Sequence, residues 1–240
     1  MTLRPTIRYL GDAAISVDFG DRIDADITRR VLALSAAVAQ RAPVGVVETV
    51  PTYRALLVLV DPVVADHARL RDLLAELAHA ALPAPRSGRL WEVPVVYGGD
   101  FGPDIDTVAA QCAMTARAIA DLHAAAEYTV AMIGFLPGFC YLSGLEPRLA
   151  VPRRTTPRPG IPSSSISIGG AQTAIGSVAG PSGWHLIGRT PVRPFMPERD
   201  PVFLFAPGDR VRLIAVQAQE WARLDAQAAT GAPVARVAAG

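Results

Sequence analysis

The sequence predicts an α+β protein in two parts, a small N-terminal α/β sandwich over residues 1–83 and a closed all-β sheet over residues 89–229. Three observations predict it. Strand and helix signals alternate through the first 82 residues. "LPAPRSGR", residues 82–89, has the two prolines, the glycine and the low apolar content of a linker. From Tyr128 onward, short apolar segments are broken by many glycines and prolines, as in a barrel.

Taken in order, "TIRYLGDAAISVDFG" reads as two short strands around a Gly11-Asp12 turn. Asp24 to Arg41 carries Ile27, Val31, Leu34 and Val38 at helical spacing. "VGVVETV" and "YRALLVLV" read as strands joined near Pro51. Asp61-Pro62 offers an N-cap and a first-turn proline to a helix with Leu70, Leu74, Leu77 and Ala81 on one face. Two ββα-type units in tandem imply helices on one side of a sheet. Beyond the linker, "LWEVPVVYGG" is a strand, and two short helices begin near Pro103-Asp104 and Thr115. "VFLFAPGDRVRLIAV" has the pattern of a β-hairpin, Gln217 to Ala228 that of a closing helix, and residues 230–240 that of a flexible tail.

Composition bounds the chemistry. In 240 residues, 50% are hydrophobic and the formal net charge is +1, so nothing in the overall field invites nucleic acid or an anionic membrane. The N-terminus lacks a secretory h-region, and the simplest location is cytoplasmic. All 23 basic residues are arginine. Without lysine there is no Walker A loop, no biotin attached to this chain and no pyridoxal phosphate Schiff base. Cys112 and Cys140 are too few for a disulfide framework, the four histidines show no metal spacing, and no metal site is expected.

The segment that stands out is "PRRTTPRPGIPSSSISIGG", Pro152 to Gly170. Between Pro147 and Pro197 there are six arginines (148, 153, 154, 158, 189 and 193), nine prolines, seven glycines and no acid. Arginine forks suit carboxylate or phosphate, and glycines let backbone N–H groups approach an anion. Two readings compete: an anion pocket on a loop-rich face, or surface arginines paired with acids elsewhere, such as Asp100 or Glu127. "GFLPGFCYLSG" alternates Phe135, Phe139 and Tyr141 around Pro137-Gly138, as a pocket wall or as a tight corner packing into the core. Gly169-Gly170 interrupts strand-like sequence and brings Gln172 and Thr173 beside it. Trp184, His185, Arg189 and Thr190 follow in "GPSGWHLIGRTP". There is no GxSxG elbow and no HExxH.

Four motifs in order, "VPVVYGGDFGPDIDTVA", "LHAAAEYTVAMIGFLPGFCYLSGL", "VPRRTTPRPGIPSSSISIGGAQT" and "GWHLIGRTP", resemble the B subunit of the bacterial ATP-dependent 5-oxoprolinases. That family overlaps the allophanate hydrolase subunit 1 and sporulation-kinase-inhibitor families, which are built from carboxyltransferase subdomains C and D. The resemblance is strong from about Trp91 to Ala206. It implies that the C-terminal part is a cyclophilin-like β-barrel, and that the chain works with a C subunit of similar fold and an A subunit from another family. It implies ATP-driven hydrolysis of 5-oxo-L-proline to L-glutamate through a phosphorylated lactam. ATP, with Mg2+, would be bound by or shared with the partner of similar fold.

Carried onto this sequence, the resemblance implies phosphate or carboxylate contacts from Arg153, Arg154 and Arg158. Gly169, Gly170, Gln172 and Thr173 would form the pocket floor, Arg189 and Thr190 its rim, and Phe135, Phe139 and Trp184 its walls. His123 becomes a candidate for proton transfer or for orienting a loop. The sequence departs from the family pattern at Cys140 (usually proline), Ser163-Ser164 (usually Ala-Gly), Gly176 (usually tyrosine) and His185 (commonly glutamine). The tyrosine loss leaves the substrate open. Two other functions remain: a histidine-kinase inhibitor acting as a pure binding module, and a carboxyltransferase or allophanate-hydrolase-type subunit in urea metabolism.

Overall fold

In the computed structural model, which describes residues 5–80 and 88–238, the chain divides into two units, Met1–Ser87 and Gly88–Gly240. The first begins with β1 (Thr6–Tyr9) and β2 (Ala14–Asp18), turned at Gly11, whose φ of 67° suits glycine. Helix α1 (Ala25–Arg41) starts where the Asp24 carboxylate accepts the N–H groups of Asp26 and Ile27, and it buries Ile27, Val31, Leu34 and Val38. Next come β3 (Val46–Pro51), β4 (Ala55–Val60) and α2 (His67–His79). The sheet is antiparallel throughout, in the order β1-β2-β4-β3. Ile15 and Val17 of β2 and Leu56 and Val58 of β4 face the helices in one core. Each such side chain, fully buried, contributes about 1.5–3 kcal/mol.

One boundary differs from the expectation. Asp61 does not cap α2. Its carboxylate takes the Val63 N–H and its carbonyl closes a turn at Ala65, and Asp66 is the true N-cap, accepting the Arg69 N–H. Pro62 instead stands in the turn closed on the Asp61 carbonyl, where its fixed φ is as well suited as in the first turn of a helix, so the Asp-Pro pair could not choose between the two. Leu70, Leu74 and Leu77 are buried as predicted; Ala81 and residues 82–87 of the linker lie outside the described residues.

The second unit is a closed barrel. Its elements are β5 (Leu90–Tyr97), α3 (Ile105–Gln111), α4 (Ala116–Ala125), β6 (Glu127–Ile133), β7 (Cys140–Ser143), β8 (Arg158–Ile161), β9 (Ser165–Gly169), β10 (Gln172–Ile175), β11 (Gly180–Ser182), β12 (His185–Arg189), β13 (Arg210–Ala215), α5 (Trp221–Ala229) and β14 (Arg236–Val237). Strands run β12-β9-β10-β7-β6-β13-β5, and β5 pairs with β12 again, closing the sheet. Alternation sends Tyr128 and Val130, Leu142, Ile166 and Ile168, and Ile175 into one core.

Two expectations fail here. "VFLFAPGDRVRLIAV" is not a hairpin, because the Asp209 carboxylate accepts from Trp91 Nε1 at 2.9 Å, from Arg89 N and from Ala206 N. That ties the turn to the start of β5, and β13 then runs parallel beside β5. Nor are residues 230–238 of the tail loose. Val234 and Ala235 are buried, and β14 pairs with β5 at Trp91 and Glu92, where β12 leaves that edge open.

Candidate functional site

The β9–β10 hairpin turns through Gly170 and Ala171, with Gly170 at φ 64°, a conformation that favours glycine. Because Ile166, Ile168 and Ile175 point inward, Gly169 and Ala174 face outward, as does Tyr141 of β7, the register partner of Ala174. Gln172 pairs with Gly169 at the hairpin end. The Trp184 indole lies on this outer face so closely that a Cβ on Gly169 would stand 2.6 Å from the ring.

Around it gather the aromatics. Trp184 meets Tyr141 with centroids 5.8 Å apart and Phe139 at 6.3 Å, and Phe139 meets Tyr141 at 4.8 Å and Phe135 at 5.7 Å. Phe135 is 63% exposed and held at φ 70°, a left-handed conformation that costs a bulky residue about 1 kcal/mol or more. The Arg153 guanidinium sits 5.5 Å from the Trp184 ring centroid, exposed, and makes no ion pair with any described residue. Its charge opposes the burial that raises the Tyr141 hydroxyl pKa, so it also lies near that group. The result is an aromatic shelf with one cation over it.

The neighbouring arginines are not free, which corrects the expectation that they await a ligand. Arg158 makes a two-pronged ion pair with Asp104, both bonds 2.7 Å, and Arg154 adds a third at 3.2 Å. The Leu186 N–H donates a fourth, at 2.8 Å, and Asp104 is 3% exposed. Burial pushes its carboxyl up, but Arg158, the Leu186 N–H and the charge of Arg154 outweigh it and hold the group below the usual range. Asp104 stands before α3 yet makes no capping bond there; its side chain is spent on the arginines. Neither Asp100 nor Glu127 takes these arginines. Glu127 pairs with Arg210 and Arg212, and two other arginines of the stretch go to acids, Arg148 to Glu146 and Arg193 to Asp225.

His123 and Thr173 are also placed differently from the expectation. His123 is completely buried inside the barrel. Thr173 donates to the Ser167 carbonyl, so its oxygen accepts from His123 Nε2 at 2.8 Å, and His123 Nδ1 accepts the Tyr97 hydroxyl at 2.9 Å. Both groups belong to the core, and nothing from solvent reaches them for proton transfer. Burial lowers the His123 pKa to about 3 from 6.5. The folded state therefore favours the neutral ring: this stability is complete above pH 6.5 and drains away as the pH falls toward 3. Between pH 6.5 and 4.5 we expect stability to fall by up to about 1.4 kcal/mol per unit. Urea midpoints measured across that window check it, and in His123→Gln the slope should largely vanish.

Arg189 lies at the far end of β12 from His185, about 13 Å along the strand. It donates twice to the Ser163 carbonyl and stacks 4.9 Å over Trp221, and Thr190 is buried, accepting the Val192 N–H. Neither rims the shelf. Cys140 is buried with its thiol pushed up by burial, which suits no nucleophile. Ser164, at the usual glycine position, keeps a φ of 57° and is anchored by its hydroxyl on the Val192 carbonyl. Sequence reasoning missed Asp104 as part of the site; Tyr141 it named only in one of two readings of its stretch, pocket wall or packed corner.

Residues 5–205 match the carboxyltransferase domain family, subdomains C and D, and the chain belongs to that family. It is 35% identical over 232 residues to the B subunit of 5-oxoprolinase from Bacillus subtilis (strain 168), covering 92% of this chain and 97% of that protein. The crystal structure of TTHA0988 superposes with a TM-score of 0.76 at 34% identity over 89% of this chain, which spans 41% of that longer one. Kluyveromyces lactis urea amidolyase shares the fold alone, with a TM-score of 0.80 at 19% identity over 99% of this chain and 16% of its own.

Proposed function

We propose that this chain is one component of an ATP-dependent 5-oxoprolinase, acting with the C and A subunits of that enzyme to hydrolyse 5-oxo-L-proline to L-glutamate. The observation that carries the proposal is the near-full-length likeness to a protein named as the B subunit of 5-oxoprolinase. The chemistry of the shelf agrees. 5-Oxoproline is a flat five-membered lactam bearing one carboxylate. Arg153 supplies one guanidinium for that carboxylate above the largely buried Trp184, and the exposed Phe135 and partly exposed Tyr141 offer ring surface to the lactam.

The same residues suit one carboxylate better than a triphosphate. Arg154 and Arg158 are committed to Asp104, which leaves Arg153 as the guanidinium of that loop outside an ion pair, against the several charges of a triphosphate. In this reading ATP and Mg2+ belong to a partner in the complex. This chain binds and orients the substrate and keeps water off one face of its ring. No helix among the described residues is long and apolar enough to cross a membrane.

The test is ATP consumption and glutamate release from 5-oxo-L-proline by this chain alone, with the C subunit, and with the C and A subunits together. Turnover is expected in the full mixture only, and Arg153→Ala should raise KM for 5-oxoproline by about 10–100-fold, the loss of one charge-assisted contact. An assembled complex with no turnover rejects the activity. An unchanged KM in Arg153→Ala rejects the substrate contact.

A further inference from the structure

We infer that Asp104 is a positioning residue, which sets the Arg153 guanidinium against the Trp184 indole by clamping the two loops that carry them. The inference rests on the reading that Arg153 meets the substrate carboxylate. Arg153 and Trp184 are 31 positions apart, and neither lies within a strand or helix. What brings them together is a set of bonds made by their immediate neighbours. On the arginine side, the Pro152 carbonyl accepts from His185 Nε2 at 3.0 Å, the Arg154 N–H donates to the Gly183 carbonyl at 2.7 Å, and the Arg154 and Arg158 guanidiniums meet on Asp104. On the indole side, Gly183 and His185 are the very residues at the other end of those bonds, one accepting and one donating, and the Leu186 N–H donates to the same Asp104 carboxylate.

Asp104 is itself fixed by backbone, its N–H donating to the Leu186 carbonyl at 2.9 Å. One buried carboxylate thus joins the loop before β8 to the start of β12. Of residues 152 to 154, the outer two are fastened to the barrel and Arg153 between them projects onto the indole. The clamp also has an electrostatic consequence. One carboxylate faces two guanidiniums, so the neighbourhood keeps a positive excess that favours an anion beside Arg153. Replacing Asp104 by asparagine removes the charge that holds both arginines. It also sets an amide, half donor, against donors on every side. The loop that carries Arg153 is then released without any change to Arg153 itself.

The experiment is a double-mutant cycle in the assembled enzyme: wild type, Arg153→Ala, Asp104→Asn and the double variant, with KM for 5-oxo-L-proline and kcat measured for each. If Asp104 acts through Arg153, Asp104→Asn raises KM about 10-fold with kcat within about 3-fold, and adds less than about 2-fold to KM once Arg153 is alanine. A merely structural role would instead lower the active fraction, and so apparent kcat, with KM unchanged; that result overturns the inference. So does an equal multiplication of KM on both backgrounds. An Arg153→Ala variant with normal KM removes the substrate reading and this inference together, and is told apart from the other failures by that single variant. Should Asp104→Asn not assemble, Arg154→Gln is used, since it removes one contact and leaves the Arg158 pair intact. It should raise KM about 3-fold on wild type and not at all on Arg153→Ala, and any other pattern rejects the clamp.

Discussion

Gly102→Ala is expected to bring the barrel unit close to unfolding. A Cβ at that position would stand 2.1 Å from the Ile187 carbonyl oxygen, 2.2 Å from its carbon and 2.7 Å from the Gly188 nitrogen. These are backbone atoms of β12, the strand that closes the barrel between β9 and β5, so no side chain can swing aside. Relief requires the turn at 98–104 to lift off the strand. That breaks the bonds from Gly98 N to the Ile187 carbonyl and from Asp104 N to the Leu186 carbonyl, and it withdraws the Asp104 carboxylate from its partners. We expect a cost of about 3–5 kcal/mol, against a typical total stability of about 5–15 kcal/mol. Thermal unfolding of the full chain should shift down by about 10 °C. Gly160→Ala is the control: a Cβ there meets nothing within 4 Å, and its effect should stay within about 0.5 kcal/mol. A melting temperature for Gly102→Ala matching the control would mean that the turn does not lie on β12.

Gly169→Ala should act on binding more than on folding. The added Cβ would lie 2.6 Å from two Trp184 ring atoms and 2.8 Å from a third, and here the obstacle is a side chain that can rotate outward. Moving it opens the contacts of Trp184 with Phe139 and Tyr141 and takes away the face on which Arg153 rests. The lost packing should cost about 1–2 kcal/mol, and KM for 5-oxo-L-proline should rise more than about 10-fold in the assembled enzyme. Near-UV circular dichroism should report the displaced indole. A changed spectrum with normal kinetics would remove Trp184 from the substrate wall.

Some of this site is legible in the sequence. Phe135, Phe139 and Trp184, which the resemblance groups together, are linked by ring contacts through Phe139, with Arg153 over the Trp184 ring. Two misplacements had visible signals. His123 follows the buried Ile119 by four residues on α4, which puts it on the helix face that packs inward. Thr173 precedes the buried Ile175 by two in a strand, which puts it on the inner side of the sheet. Both periodicities outranked the motif, because a barrel wall has only two faces and one of them is the core. The arginines carried no such signal. Their acid is 50 to 54 positions away, and a stretch without local acids looks the same whether its partner is a ligand or a distant carboxylate.

The sequence by itself determined the family and most of the elements, though not the start of α2, the pairing of β13 or the strand β14. Strands, helices and tight turns follow from periodicity and from glycine, proline and capping residues, which act over a few positions. Only the tertiary structure decided which charges meet, which strand neighbours which, and what remains free. β13 runs beside β5 because Asp209 takes its bonds from residues far away in sequence, and Asp104 neutralises Arg154 and Arg158 for the same reason. A buried carboxylate must find donors wherever folding brings them, and Asp104 found Arg154 and Arg158, leaving Arg153 outside that ion pair and over its indole.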